Sequence, residues 1–338
     1  MMKKILFCCT LLTLILIGCS TNGQNTEETF QETNQNDDEQ KDATTSESKE
    51  ITLPDNELQR LDEGDDVLQL QLALIALGYP IDETGKYDEK TTWAITDLQL
   101  REDSVYINGI YNSEMQNMID ELLTNGDTIS TPYELAEPEE PDVQTDIVEN
   151  PYEILSIVNK RFSLPSDYEP EDLTEPDVPF PFTDDDPKKQ LREEAAHALE
   201  SLFAAADQDS IQLYAQSGFR SYDRQEAIFA ANVERDGETH ANTYSARPGE
   251  SEHQTGLVMD VTSDEVNYDL ITDFGETDEG KWVNEHAHEY GFIIRYPEGK
   301  EEITEYQYEP WHLRYVGIKA ATEIKENELT LEEYMQID

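Results

Sequence analysis

Two histidines and two carboxylates in this chain have the types and spacing to hold a metal and use it. His253 and Asp260 lie in SEHQTGLVMD at 251–260, and Glu309 and His312 in EPWH at 309–312. Two imidazoles and one carboxylate complete the ligand set of a catalytic zinc and leave a fourth position for water. A further carboxylate three residues before the last histidine stands where a general base is wanted. Zinc acidifies water and polarises a carbonyl, so these residues point to metal-dependent hydrolysis. Glu309 would take the water's proton and hand it to the leaving amine. Singly, each residue has a plainer reading: a hydrogen-bonded polar histidine, or an aspartate capping a turn. The two segments together, in this order, carry the signal.

Such groups need a scaffold. Thr255-Gly256 lets the chain turn, and Leu257-Val258-Met259 is apolar enough to bury as a strand. His253 would enter that strand from a loop, with Asp260 at its far end and His312 on a separate segment. Around them, the pattern predicts a helix over Lys189 to Ala206, with Leu191, Ala195, Leu199 and Phe203 facing inward. It predicts strands at Ile211 to Ala215, Val258 to Val261, Phe292 to Arg295 and Trp311 to Tyr315. Helices are expected at Arg224 to Glu234, Lys281 to Glu289 and Leu329 to Met335. Mixed helices with short, non-repeating strands give an α+β domain over 151–325.

Ahead of it, Val67, Leu70, Leu74 and Leu77 form one helical stripe ended by Gly78. Asp88 can cap a second helix carrying Thr92, Ile95 and Leu98. A third follows the Asn108-Gly109 turn, over roughly 113–123. These make a three-helix domain over 56–124, and the Pro- and Glu-rich stretch 125–150 reads as an extended acidic linker.

The first 18 residues carry Lys3 and Lys4 and then an apolar run from Ile5 to Ile17. That run is too short for a comfortable membrane span and suits a signal peptide. Leu16-Ile17-Gly18-Cys19 has the form of a lipobox, which would make Cys19 a lipidation site and anchor the chain on the extracytoplasmic face; the plainer readings are a signal peptide with an incidental cysteine or an uncleaved short anchor. Residues 19–55 are polar and expected to be a disordered tether. All three cysteines lie at or before position 19, so the body has no disulfide, thiolate nucleophile or cysteine metal ligand. The net charge of −53, from 76 acidic and 23 basic residues, repels phosphate backbones, so nucleic acid is a poor partner and none is expected. It also repels anionic lipid, so membrane association rests on the anchor. The acidity spreads over both domains, as in proteins from saline surroundings, where salt screens self-repulsion. Molar salt is therefore expected to stabilise the fold. A melting temperature that rises from low to molar NaCl bears this out, and a steady fall contradicts it.

Two resemblances organise these readings. The helical domain resembles a three-helix peptidoglycan-binding domain through Leu61, Gly64, Leu70-Gln71, Leu77-Gly78-Tyr79, Gly85-x-Tyr87, Thr91-x-x-Ala94 and Leu98-Gln99. It departs from that family at Leu98, where Phe is usual, and at Arg101-Glu102-Asp103-Ser104, where a Gly-rich turn is usual. SEHQTGLVMD with EPWH resembles the VanY-like D-alanyl-D-alanine carboxypeptidases, zinc peptidases of family M15 that act on peptidoglycan stem peptides. The likeness covers roughly 151–318. It implies a small antiparallel-sheet domain, Zn2+ on His253, Asp260 and His312, and Glu309 as catalytic base. In SGFRSYDRQ it makes Arg220 the partner of the developing oxyanion. Gln225 would orient substrate or Arg220, Ser251 would bind the terminal carboxylate or a backbone group, and Tyr222 packs or lines the pocket. The implied function is release of terminal D-alanine from stem peptides by a wall-bound monomer. Alternatives are L,D-carboxypeptidase action on tetrapeptides, or a wall-binding lipoprotein without activity. His197, His240, His286 and His288 read as surface residues. Glu305 replaces the glycine of the family's Thr-Gly-Tyr and would be strained if that backbone needs positive φ.

Overall fold

The computed structural model describes residues 51–102, 104–130 and 145–337. The segment read as a signal peptide, Cys19, most of the tether and most of the acidic linker lie outside them. Among the described residues no helix is long and apolar enough to cross a membrane.

The N-terminal helices form where the apolar stripes place them. They are α1 (Asp65–Ala76), α2 (Glu89–Gln99) and α3 (Ser113–Asn125). Asp88 caps α2 by accepting from the Thr91 N–H. Val67, Leu70, Leu74, Leu77, Ile95 and Leu98 are buried together in the core of this module. Gly109 has φ 76°, and a Cβ there would meet Thr92 Cγ2 at 2.7 Å, so the turn before α3 requires glycine.

The second domain opens with β1 (Asp146–Ile147), inside the stretch read as linker, paired in parallel with β2 (Phe162–Ser163). Next come β3 (Leu173–Thr174), β4 (Leu191–Arg192), α4 (Glu193–Gln208), β5 (Tyr214–Ser217), α5 (Tyr222–Asp236) and α6 (Glu238–Ala241). The chain continues through β6 (Val258–Thr262), α7 (Asp278–His286), β7 (Phe292–Tyr296), α8 (Glu301–Thr304), β8 (Glu309–Tyr315), α9 (Ile318–Glu326) and α10 (Leu331–Tyr334). Four strands form one antiparallel sheet in the order β5-β6-β8-β7. Ala195, Leu199 and Phe203 of α4 pack into its core with Met259, Phe292 and Leu313. The α+β class and the antiparallel sheet are as expected.

Three elements differ most in their bounds, and the other strands and helices that the pattern predicts fall within two residues of expectation. Leu191 is in a strand, not a helix: the Arg192 N–H bonds to Gly256 O at 2.8 Å and holds the chain extended before α4 begins. The strand expected at Ile211 to Ala215 starts at Tyr214, because the Ile211 N–H is used closing α4 on Ala206 O. The helix expected over Lys281 to Glu289 begins earlier, where Thr277 accepts from the Gly280 N–H, and tightens into a 3-10 turn after His286.

The helical module and the sheet domain lie in one compact unit. Ion pairs Arg60–Glu153 (3.3 Å) and Lys319–Asp62 (2.6 Å) join them. Asn108 Nδ2 donates to Glu194 Oε2 at 2.9 Å, and the Ile154 N–H donates to Asn108 O at 3.3 Å. Burial at this junction pushes the Glu153 carboxyl up to about 7, with Arg60 pulling the other way. A carboxyl whose folded pKa exceeds its unfolded value takes stability away as pH rises between the two. Glu153→Gln is therefore expected to raise the urea midpoint relative to wild type at pH 8 but not at pH 4. An equal effect at both pH values contradicts this.

Candidate active site

The sheet register assembles the site. Asp260 on β6 stands directly opposite His312 on β8. His253 arrives from a 3-10 turn, Glu252–Thr255, that ends on Gly256 in the left-handed region (φ 69°). A Cβ on Gly256 would meet Arg192 Cγ at 2.9 Å, so a side chain there collides as well as strains. Gly218 O lies 2.7 Å from His253 Nδ1. That contact assigns the proton to Nδ1 and leaves Nε2 free to face the site.

His253 Nε2 is 3.5 Å from Asp260 Oδ2, and His312 Nδ1 is 3.1 Å from Asp260 Oδ1. One ligand atom from each of the three lies within 4.8 Å of the others, and all three residues are buried. Asp260 Oδ1 has no well-directed hydrogen bond despite its burial. Lone pairs that converge in a buried place with only one another for partners are what a bound cation satisfies. The donor set of two imidazoles and a carboxylate fits zinc. Glu309 Oε2 sits 3.8 Å from His312 Nδ1, beside the ligand cluster.

The electrostatics agree with these roles. Burial drives the His253 imidazole down to about 3, with Arg220 adding to the shift and Asp260 opposing it. Neutral His253 is ready to ligate. Burial disfavours a charge on His312, but Asp260 and Glu252 outweigh it and push the ring up to about 9. Burial pushes Glu309 up to about 7, with Asp260 adding to the shift and His312 and Arg220 opposing it. A carboxylate titrating near neutrality suits a general base.

Glu309, Arg220, Gln225 and Ser251 line the same cavity of about 340 Å³ as the metal residues. Arg220 donates to Gln225 Oε1 (2.9 Å) and Ser217 Oγ (3.3 Å). Gln225 Nε2 is in turn anchored on Ala246 O at 2.5 Å. Gln225 thereby aims the guanidinium. Ser251 is buried in the cavity wall, and Trp311 is buried beside it. Tyr222 is half-buried at the start of α5 and is not among the lining residues. His286 pairs with Glu289 at 3.1 Å and His197 with the Tyr106 hydroxyl at 2.9 Å. His240 packs on the Tyr244 ring. His286 and His288 are half-buried rather than exposed, and neither joins the metal cluster. Glu305 does take positive φ (59°), and its carbonyl accepts from Lys160 Nζ at 2.7 Å, which holds that turn.

Sequence reading missed the buried charges behind His312. Glu252 Oε1 accepts from Arg295 Nε and from Arg314 Nη1, each at 2.7 Å. Arg295 also holds Glu332 at 2.6 and 2.9 Å. Both arginine side chains and Glu252 are fully buried. Strand alternation was the available signal: Arg314 lies two residues after His312, on the same face of β8.

Comparison with known proteins bears on this geometry. The family model "VanY: D-alanyl-D-alanine carboxypeptidase" matches residues 188–318, and "Putative peptidoglycan binding domain" matches 63–119. The chain is 54% identical over 189 residues to "Putative carboxypeptidase YodJ" of Bacillus subtilis (strain 168), covering 56% of this chain and 69% of the relative. It is 36% identical to the bifunctional D-Ala-D-Ala dipeptidase and D-Ala-D-Ala carboxypeptidase VanXYC of Enterococcus gallinarum, covering 53% and 92%. The solved structure of the LdcB LD-carboxypeptidase aligns with 52% identity and a TM-score of 0.57, covering 59% of this chain and 93% of that one. A His/Asp/His cluster that could hold a metal on an antiparallel sheet and the extent of these similarities lead to one assignment: the chain belongs to the VanY family of D-alanyl-D-alanine carboxypeptidases.

Proposed function

We propose that the protein is a zinc-dependent carboxypeptidase that releases terminal D-alanine from peptidoglycan stem peptides, with the D-Ala–D-Ala bond of the pentapeptide as its substrate. The observation that carries this is the pairing of Asp260 with His312 across β6 and β8, with His253, Glu309 and Arg220 around them. His253 Nε2, His312 Nδ1 and an Asp260 oxygen would hold the ion. A zinc ion there supplies Lewis acidity to water and to the scissile carbonyl.

The protein supplies the rest. Glu309 takes the proton of the attacking water and delivers it to the leaving amine. Arg220, fixed by Gln225 and Ser217, faces the carbonyl oxygen as it gains charge. Burial pulls the Arg220 pKa down, yet a guanidinium remains charged at neutral pH. Ser251 contacts the substrate's terminal carboxylate. The helical module would bind wall glycan, and a lipid on Cys19 would hold the enzyme at the outer face of the membrane, within reach of stem peptides.

One observation favours a second reading: the 52% identity to a protein described as an LD-carboxypeptidase. Under that reading the tetrapeptide is the substrate. Defined penta- and tetrapeptide muropeptides, incubated separately with the purified chain, separate the two. D-alanine released from the pentapeptide alone supports the first reading. Release from the tetrapeptide alone replaces it with the second, and release from neither overturns both.

A further inference from the structure

The buried charges behind His312 have an arrangement that packing alone does not require. Both arginines donate to the same carboxylate oxygen, Glu252 Oε1. The other oxygen, Oε2, is buried and has no hydrogen bond. It faces His312 Nε2 at 3.5 Å, and that nitrogen is also buried and unpartnered. Each of these two orphaned atoms is the other's available partner. On the opposite side of the ring, Nδ1 points at Asp260 Oδ1. We propose that Glu252 is a positioning residue of the metal site: clamped by Arg295 and Arg314, it accepts the His312 Nε2 proton and keeps Nδ1 bare and aimed at the metal. The proposal rests on the zinc reading above.

The physical case turns on the tautomer. A neutral imidazole carries one proton, and the nitrogen that lacks it is the ligand. An acceptor at Nε2 places the proton there and leaves the Nδ1 lone pair for the metal. Carboxylates held behind metal-bound histidines work in this way, and losing one typically lowers metal affinity 10- to 100-fold. Here the two guanidiniums fix which oxygen is left over. Both are fully buried against Glu252 at 2.7 Å. The chain continues outward, since Arg295 is held by Glu332 on α10, and Glu332 also accepts from Asn159 Nδ2 at 3.2 Å. The C-terminal helix thereby supports the residue that aims His312.

Glu252→Gln tests this sharply. The amide oxygen must face the two arginines, because an NH2 group there would meet only donors. Its NH2 then faces His312 Nε2 and forces that nitrogen to accept, which moves the ring proton to Nδ1. Zinc affinity would be measured by competition with a chromophoric chelator, alongside thermal melts of metal-free protein. Glu252→Gln is expected to bind zinc about 10- to 100-fold more weakly than wild type. Glu332→Gln, which weakens the same network away from His312, is expected to lower the melting temperature but keep zinc affinity within about threefold. Equal losses of affinity in the two variants would reduce Glu252 to a structural role and overturn the proposal, as would wild-type affinity in Glu252→Gln. If Glu252→Gln does not fold, Glu252→Asp keeps the charge for both arginines but withdraws it from the ring. Weaker zinc binding by that variant supports the proposal, and unchanged binding overturns it. Wild type binding zinc no better than His253→Ala would instead sink the zinc reading itself.

Discussion

Glutamine in place of Glu309 is expected to lower kcat on a muropeptide substrate by about 1,000-fold, within the range attributed to a positioned general base. Zinc affinity should be unchanged, because Glu309 lies beside the ligand cluster rather than in it. KM should move little, since the substitution preserves shape. The pH profile gives a second readout. Burial raises the Glu309 carboxyl to about 7, and a cation held on Asp260 and His312 would pull it back down. Wild-type kcat/KM should therefore fall on the acid side with a midpoint below pH 7. Glu309→Gln should lose that limb along with the rate. Steady-state kinetics between pH 5 and 9 check both, and a variant that keeps wild-type turnover overturns the assignment of Glu309 as base.

The second large effect is on stability. Arg295→Met is expected to destabilise the protein by about 3–5 kcal/mol, the usual cost of removing one partner from a buried ionic cluster. The arginine is fully buried and holds Glu252 at 2.7 Å and Glu332 at 2.6 Å. Methionine fills much of the space but leaves two carboxylates short of a counter-charge. For a unit of this size the loss corresponds to a fall in melting temperature of roughly 10 °C. An exposed pair such as Lys86–Glu63, with both side chains more than 60% exposed, serves as the comparison. Solvent-screened surface pairs contribute little, so Lys86→Met should hardly shift the melt. Matching losses in the two variants would contradict the view that burial makes the inner cluster costly to break.

The parts of the site set by short-range pattern were legible in the sequence. SEHQTGLVMD announces a turn, a strand and two candidate ligands in one stretch, and the structure gives a 3-10 turn, Gly256 and β6 in that order. The helical module was equally readable, because Val67, Leu70 and Leu74 recur at helical spacing and Asp88 is a strong cap. Long-range pairing was not readable. Nothing local says that Asp260 will lie opposite His312, or that Arg192 will spend its backbone N–H on Gly256 and delay the start of α4. The Glu252–Arg295–Arg314 cluster was hidden for the same reason. In so acidic a chain an isolated Glu or Arg looks like surface, and only the folded sheet brings them into one interior. Packing of the helical module against the sheet domain likewise rests on contacts such as Asn108–Glu194, from segments far apart in sequence.

If His253, Asp260 and His312 hold a metal whose chemistry cleaves a stem peptide, hydrolysis follows the metal. The most direct test follows D-alanine release from a defined pentapeptide muropeptide by one preparation in three states: as purified, after chelation and dialysis, and after zinc is returned. Release is expected in the first state, loss in the second and recovery in the third, with no recovery in His312→Ala. Hydrolysis that persists undiminished after the metal is removed would contradict it.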